Sequence, residues 1–382
     1  MSVMVDTKVG IVGAVAPWMS GGASVHASEL IRQLSRTHLV SAVTPGRRSG
    51  QLSAPNVEIR IVPLAPYLST LGTIFGSVRF LRDVSLIHSH DPRVSVLGQF
   101  LDKPLVTTVH GYLTLEAVAN GITRPRRPLY TLYDAMIRQC VRLSSQIIAV
   151  DSRISSWLRG VYSARNVSVI YNGVDVNRFR PGIDGRRVRH ALGLDSEALV
   201  ILSAKHLVQK NGMEQVVLAM RSVLQSFPDA VLLLAGEGPL RRRITDLVTE
   251  CGIEQNVVML GQLPHECMPE VISACDVCVI PSVGVAGVEE ATSIIMLEAM
   301  ACGKPVVASA IGGLREVIGN ESYGVLVPPA DPVALATALN QILGNEGLRR
   351  AIGVEARRYV ETHHSWETVL RRVVAIYETV AE

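Results

Sequence analysis

What this sequence has little of narrows its class. Phe, Trp and Tyr together make up 4% of 382 residues, whereas 48% are hydrophobic and rich in Val, Ile, Leu and Ala. That balance suits α/β domains whose parallel strands are buried. Six cysteines in a chain this long make no disulfide framework. Cys275 and Cys278 have the C-x-x-C spacing, but they lie where a helix feeds a strand. A redox pair would lie where a strand feeds a helix, so these two read as small packing residues. No apolar run reaches the ~20 residues that a membrane span needs. Met1 to Gly10 has neither a long apolar core nor a cleavage pattern. A cytoplasmic protein is expected, with attachment at the inner membrane face left open. Gly10-Ile-Val-Gly13 lacks the G-x-G-x-x-G spacing, and no acidic residue follows where a ribose contact would need it. Both absences argue against a dinucleotide-dependent dehydrogenase.

A large net charge is also missing, since the formal balance is +3. The charge is unevenly spread, however. Residues 1–180 hold 20 Lys/Arg against 10 Asp/Glu, and residues 181–382 hold 17 against 24. The first half therefore suits an anionic partner, either nucleic acid or a membrane surface, unless it is simply a solvated basic face.

Strand-like and helix-like segments alternate throughout. In the first half, residues 8–15, 40–44, 57–62, 86–88, 105–109, 146–150 and 167–170 read as strands, and Val25 to Ser35 as an amphipathic helix. The stretch between 44 and 55 reads as a polar loop. Tyr171-Asn-Gly-Val-Asp175 through Pro181-Gly182 breaks the pattern. A second series follows at 199–203, 230–235, 257–260, 277–280, 306–308 and 325–327. Two runs of βα units predict two doubly wound domains facing each other across a cleft. The last helix, from about Ser365 to Thr379, carries Trp366, Leu370, Val373, Val374 and Tyr377. It could reach back to brace the first domain.

Against this background Glu290 and Glu298 stand out, with seven residues between them and a small-residue turn behind. Ala299 to Ala301 favour a helix, Gly303 stops it and Pro305 forbids its continuation. One carboxylate falls near the helix mouth and the other two turns deeper. Amides of the first helical turn can hold an anion between them. Carboxylates for hydroxyls beside amides for phosphate suit a nucleotide-sugar. Gly21 and Gly22, after the first strand, let backbone amides approach a phosphate. Lys205, His206 and Lys210 follow the strand at 199–203 and can neutralise charge on a leaving group. His110 ends a strand, where ligands gather in doubly wound sheets, and Gly111 beside it permits close approach.

In this order the motifs resemble a family 4 glycosyltransferase of the GT-B fold, over nearly the whole chain. They are Gly21-Gly22, His88-Ser-His90-Asp91-Pro92, Val109-His110-Gly111, Tyr171-Asn-Gly-Val-Asp175, Lys210-Asn-Gly212, Gly236-Glu-Gly-Pro239 and the paired glutamates. The resemblance implies two Rossmann-like domains. Residues 1–180 plus 366–382 would bind the acceptor and residues 181–365 the donor, the C-terminal helix crossing back to the first. It implies a retaining hexosyltransferase that moves a hexosyl or N-acetylhexosaminyl group from a nucleoside-diphosphate sugar, UDP favoured over GDP, to an acceptor hydroxyl.

By the same resemblance the catalytic residues are His110, which faces the sugar and the transferring bond, Lys205 and Lys210, which clamp the diphosphate, and Glu290, which takes donor sugar hydroxyls and phosphate. The donor is further held by Gly21, Gly22, His206, Gly236, Glu237, Leu263, by Ala291, Thr292, Ser293 and Ile294 through their amides, and by Glu298 on the ribose. The family usually has an arginine where Lys205 or His206 stands, and an aromatic and a glycine where Thr292 and Ser293 stand. Glu289, next to Glu290, could compete for its role. His88 and His90 read as packing or supporting residues. A metal site from His88, His90 and His110 finds no acidic or thiol partner at ligand spacing, so no metal and no cofactor is expected.

The basic segment of Arg124, Arg126 and Arg127 suits a phosphorylated or lipid-linked acceptor, or an anionic membrane surface, unless it is simply a solvent-exposed linker. The competing readings are a nucleotide-sugar epimerase or hydrolase or a glycogen-type phosphorylase on the same fold, the motif order suiting a transferase better, and a non-catalytic nucleic-acid- or membrane-binding protein. The acidic pair argues against the nucleic-acid reading.

Overall fold

The structure, a computed structural model, describes residues 7–13, 22–46, 50–63, 78–95, 100–119, 122–195, 197–320 and 322–381. The chain divides into two compact units, Met1–Asn172 with Trp366–Glu382, and Gly173–Ser365.

The first unit is built on an eight-stranded sheet of order β3-β4-β2-β1-β5-β6-β7-β8. Its strands are β1 Lys8–Val12, β2 Leu39–Gly46, β3 Gly50–Ala54, β4 Val57–Pro63, β5 Leu86–Ser89, β6 Leu105–Val109, β7 Gln146–Ala149 and β8 Val167–Val169. Every pairing is parallel except β3 with β4. The β3 stretch, expected from its sequence to be a loop, is a strand. Asn56, at φ 61°, turns the chain there, and Gly50 to Ala54 then lies antiparallel along β4 as an edge. A short segment with one large apolar residue gives no alternating signal, so its pairing is decided by the turn.

Helix Gly22–Leu34 lays Ala27, Leu30, Ile31 and Leu34 against β1 and β2. The C-terminal helix Trp366–Ala381 packs on the same core through Trp366, Val369, Val373 and Tyr377, a stripe at helical spacing. Each of these side chains is nearly sealed from water, and full burial of such groups stabilises by about 1.5–3 kcal/mol apiece.

The second unit carries a six-stranded sheet of order β11-β10-β9-β12-β13-β14. The strands are β9 Val200–Ala204, β10 Val231–Ala235, β11 Val257–Gly261, β12 Val277–Ile280, β13 Val306–Ser309 and β14 Val325–Val327, all parallel. Apolar clusters cover both faces of the sheet, which is why its strands read as unbroken hydrophobic runs. Where the chain enters and leaves this unit, Val174 N donates to His364 O at 2.8 Å. Among the described residues no helix is long and apolar enough to cross a membrane. Cys275 and Cys278 are buried at the start of β12, and burial pushes both thiols up, Cys275 to about 12.

Candidate active site

The second sheet has its switch point between β9 and β12. From β9 the chain runs outward through β10 and β11, and from β12 the other way through β13 and β14. Loops leaving the carboxyl ends of β9 and β12 therefore diverge and leave room for a ligand. The loop after β9 supplies Lys205, and the loop after β12 supplies Ser282 and then Glu290. Lys205 Nζ lies 2.7 Å from Glu290 Oε1 and donates to Ser282 Oγ at 2.8 Å. The two charged side chains are 7% and 14% exposed.

Burial alone would raise the Glu290 pKa, but the ammonium groups of Lys205 and Lys210 outweigh it and hold the carboxyl below its usual range. Burial pushes the Lys205 pKa down against the pull of Glu290. At 2.7 Å from a carboxylate oxygen the amine nonetheless keeps its proton. His206, in contrast, is exposed, and its carbonyl accepts from Asn211 Nδ2 at 2.6 Å. Lys205 is thus the residue of this pair that turns into the site. Lys210 is half-buried, and its carbonyl accepts from Val283 N at 2.8 Å, tying the β9 loop to the β12 loop.

Gly236 follows β10 at φ 135°, and a side chain on it would run into the Lys205 carbonyl. Its N–H donates to Gly261 O at 2.7 Å, and Lys205 N donates to Ala235 O at 2.9 Å, so the loops after β9, β10 and β11 are stitched together. Glu237 accepts from Leu207 N through its carbonyl at 2.9 Å and turns its carboxylate to Arg241. Leu263, in the loop after β11, packs partly buried against the core.

The glutamate loop is held from β13. Glu289 Oε2 accepts from Gly312 N at 2.8 Å, and Glu290 O accepts from Gly313 N at 2.9 Å. Gly312 sits at φ 48°, and a Cβ there would strike the Glu290 carbonyl. Glu289 is therefore occupied by the backbone, leaving Glu290 as the carboxylate on the lysine. Ala291 is half-buried, Thr292 and Ser293 are buried, and Ile294 opens helix Ile294–Ala301. That helix has no side-chain cap and no acidic residue in its first turn. Asp331 and Asn345, by comparison, cap the helices they precede. An uncapped first turn can take an anion. Glu298, one turn on and buried, contacts His265 Nε2 through Oε1 at 2.5 Å. The far end of this helix is fixed by Arg357, which donates to the carbonyls of Ala301, Phe179 and Val176.

In the first unit His110 follows β6 and is half-buried. Its Nε2 lies 3.0 Å from His90 Nδ1, after β5. His26, from helix Gly22–Leu34, stands edge-on to His110 with ring centroids 5.0 Å apart. His88 is engaged on both sides, by the Tyr377 hydroxyl at 2.5 Å and the Thr108 hydroxyl at 2.7 Å. Burial lowers the pKa of all four rings, to about 4 for His26 and about 3 for His88, and well below the usual value for His90 and His110. Gly22 opens its helix and is exposed, while Gly21 lies outside the described residues. Arg124, Arg126 and Arg127 are exposed just ahead of helix Pro128–Leu143.

His265, Ser282, Gly312-Gly313 and His26 join the site only in the structure. Gly312-Gly313 repeats after β13 the glycine pair that drew attention after β1. The other three carry no signal of their own, because only the fold brings them to their partners.

The sequence family described as Glycosyl transferases group 1 matches residues 185–359, and the one described as Glycosyltransferase Family 4 matches residues 20–178. An uncharacterized glycosyltransferase of Methanocaldococcus jannaschii is 27% identical over 96% of this chain and 96% of its own. A GDP-mannose-dependent monoacylated alpha-(1-6)-phosphatidylinositol monomannoside mannosyltransferase of Corynebacterium glutamicum is 33% identical over 54% of this chain and 55% of its own. Among solved structures, sucrose-phosphate synthase from Thermosynechococcus elongatus superposes with a TM-score of 0.84 at 24% identity, covering 98% of each chain.

Proposed function

Because the chain belongs to the family 4 glycosyltransferases and has their GT-B fold, we propose that it moves a hexosyl or N-acetylhexosaminyl group from a nucleoside-diphosphate sugar to an acceptor hydroxyl with retention of configuration. The observation that carries this reading is the Lys205–Glu290 pair at the sheet's switch point, with Lys210 beside it and the uncapped helix of Glu298 next in sequence. The two ammonium groups and the first-turn amides take up charge as the diphosphate departs. Glu290 and the amides from Ala291 to Ile294 hold the sugar and phosphate, and Glu298 holds the ribose.

Transfer on this reading needs no metal, because the cations that stabilise the leaving group are built into the chain. The departing phosphate oxygen takes the acceptor proton on the same face, so the enzyme supplies orientation and charge and no nucleophile. On this reading His110 serves the sugar. The base is held by backbone at Gly261 to Leu263, so UDP- and GDP-sugars are the donors to try. The GDP-mannose dependence of the Corynebacterium relative supports that class.

The acceptor on this reading carries phosphate or a lipid. Arg124, Arg126 and Arg127 are exposed, and Ile122 and Leu132 near them are 59% and 49% exposed. Such a mixed basic and apolar surface suits an anionic lipid headgroup layer. The phosphatidylinositol acceptor of the same relative is in keeping with it.

A panel of UDP- and GDP-sugars, read by product release with and without phospholipid acceptors, tests the proposal. Transfer that keeps the donor's anomeric configuration and survives chelation of divalent ions is expected. An inverted product, or a Lys210→Ala enzyme with full turnover, would overturn it.

A further inference from the structure

We infer that His26, His90 and His110 form a binding site for one transition-metal ion of the zinc class. The three imidazoles come from different elements, helix Gly22–Leu34 and the ends of β5 and β6, yet one ring nitrogen of each lies within 4.8 Å of the others. Two nitrogens on one tetrahedral zinc, each about 2.0–2.1 Å from the ion, stand roughly 3.3 Å apart. His90 Nδ1 and His110 Nε2, at 3.0 Å, already have that spacing. The ion would take the place of the proton between them, and that proton would move to the outer nitrogen of its own ring, so that both imidazoles stay neutral.

A further observation points to a ligand. His26 Nδ1 is buried with no hydrogen-bond partner among the described residues. An unpaired buried nitrogen is costly, and a metal bond or a reoriented ring relieves it. His88, which lies against the same cluster, has both nitrogens engaged by hydroxyls, so it stays out of the set. His110, only half-buried, gives the route in, and a fourth ligand from water completes the shell. An all-imidazole set selects zinc, cobalt, nickel or copper over magnesium and calcium.

The binding claim stands whether or not His110 serves the sugar. Its consequence for catalysis rests on the function proposed above. An ion on His110 makes that ring unavailable to the sugar, so micromolar zinc should slow transfer and a chelator should restore it.

The test is a cobalt titration of the chelator-treated, full-length protein, followed in the visible region. A saturable tetrahedral-type band at about one equivalent, with Kd on the order of micromolar or tighter and displaced by zinc, is expected. His26→Leu and His90→Leu should each weaken binding by at least about tenfold, while His363→Ala, at an exposed histidine, should not. Should the leucine variants fail to fold, an anomalous-difference map of zinc-soaked wild-type crystals locates the ion directly. A thiolate charge-transfer band, an ion elsewhere in that map, or no saturable band would overturn the site. Binding with no effect of zinc on transfer would leave the site intact and remove only the link to His110 in the proposed function.

Discussion

His265 Nε2 stands 2.5 Å from Glu298 Oε1, and the carboxylate it touches is 5% exposed. A buried carboxylate needs a donor, and the imidazole supplies one while leaving the second oxygen for another partner. On the proposed function that partner is the ribose diol. Glu298→Ala then removes hydrogen bonds to a charged group, about 1.5–3 kcal/mol, so the Kd for UDP or GDP should rise about 10- to 150-fold. His265→Ala leaves Glu298 free to turn and should cost less than about tenfold. Calorimetric titration of the nucleotide measures both, and an unchanged affinity in Glu298→Ala would refute the assignment.

Lys205 and Glu290 make a different prediction, because each is the other's buried counter-charge. Lys205→Met strands the carboxylate and should cost about 3 kcal/mol or more of stability in urea unfolding. Adding Glu290→Gln to it should recover most of that stability, since no unpaired charge remains. Activity should fall at least about a hundredfold in both the single and the double variant. A double variant as active as the parent would show that the pair holds the fold and takes no part in transfer.

Much of this site could be read from the chain before any coordinates. Glu290, Glu298, Lys205 and Lys210 sit at loop-to-helix and strand-to-loop junctions, and such junctions are visible as breaks in hydrophobic period. The central strands were equally plain, since burial on both faces leaves them apolar throughout. Edge strand β3 was not, because a five-residue edge is defined by its turn and its neighbour. The partners of the site residues were hidden for a related reason. Ser282 lies 77 residues from Lys205 in sequence and His265 lies 33 from Glu298. Spacing along the chain says nothing about such pairs until the order of the strands is known. His26 was missed in the same way, being one polar residue on the buried face of an ordinary helix.

Gly312 and Gly313 buttress the glutamate loop through backbone alone, and that makes them sensitive. Gly312→Ala places a methyl group against the Glu290 carbonyl in a backbone region, φ 48°, that L-residues seldom adopt. The loop must move, carrying Glu290 away from Lys205. We expect kcat to fall by about two orders of magnitude, as displacement of a reacting group by an ångström commonly does. Far-UV circular dichroism should stay unchanged and the loss of stability should be about 1–3 kcal/mol. The change in kcat checks the idea, and parental kcat in Gly312→Ala would count against any role of this contact in aligning Glu290.

The buried histidines predict how the first unit responds to acid. Burial lowers His26 to about 4 and His88 to about 3, and His90 and His110 well below 6.5. In the unfolded chain each returns to about 6.5. Between pH 6.5 and about 4 the unfolded state therefore binds more protons than the folded one. Stability rises with pH in that window and falls as the pH drops, with a slope of up to about 1.4 kcal/mol per pH unit for each ring. Glu290, held low by its lysines, acts in a lower window: its contribution is complete above its unfolded value and fades as the pH falls through its folded one. All four histidines belong to the first unit, and so do all three tryptophans, Trp18, Trp157 and Trp366. Tryptophan fluorescence thus reports the unit in question. Its urea midpoint should fall steadily from pH 7 to pH 5, and His26→Phe should flatten the fall. A midpoint independent of pH over that range would mean that the rings are protonated, or exposed, in the folded protein.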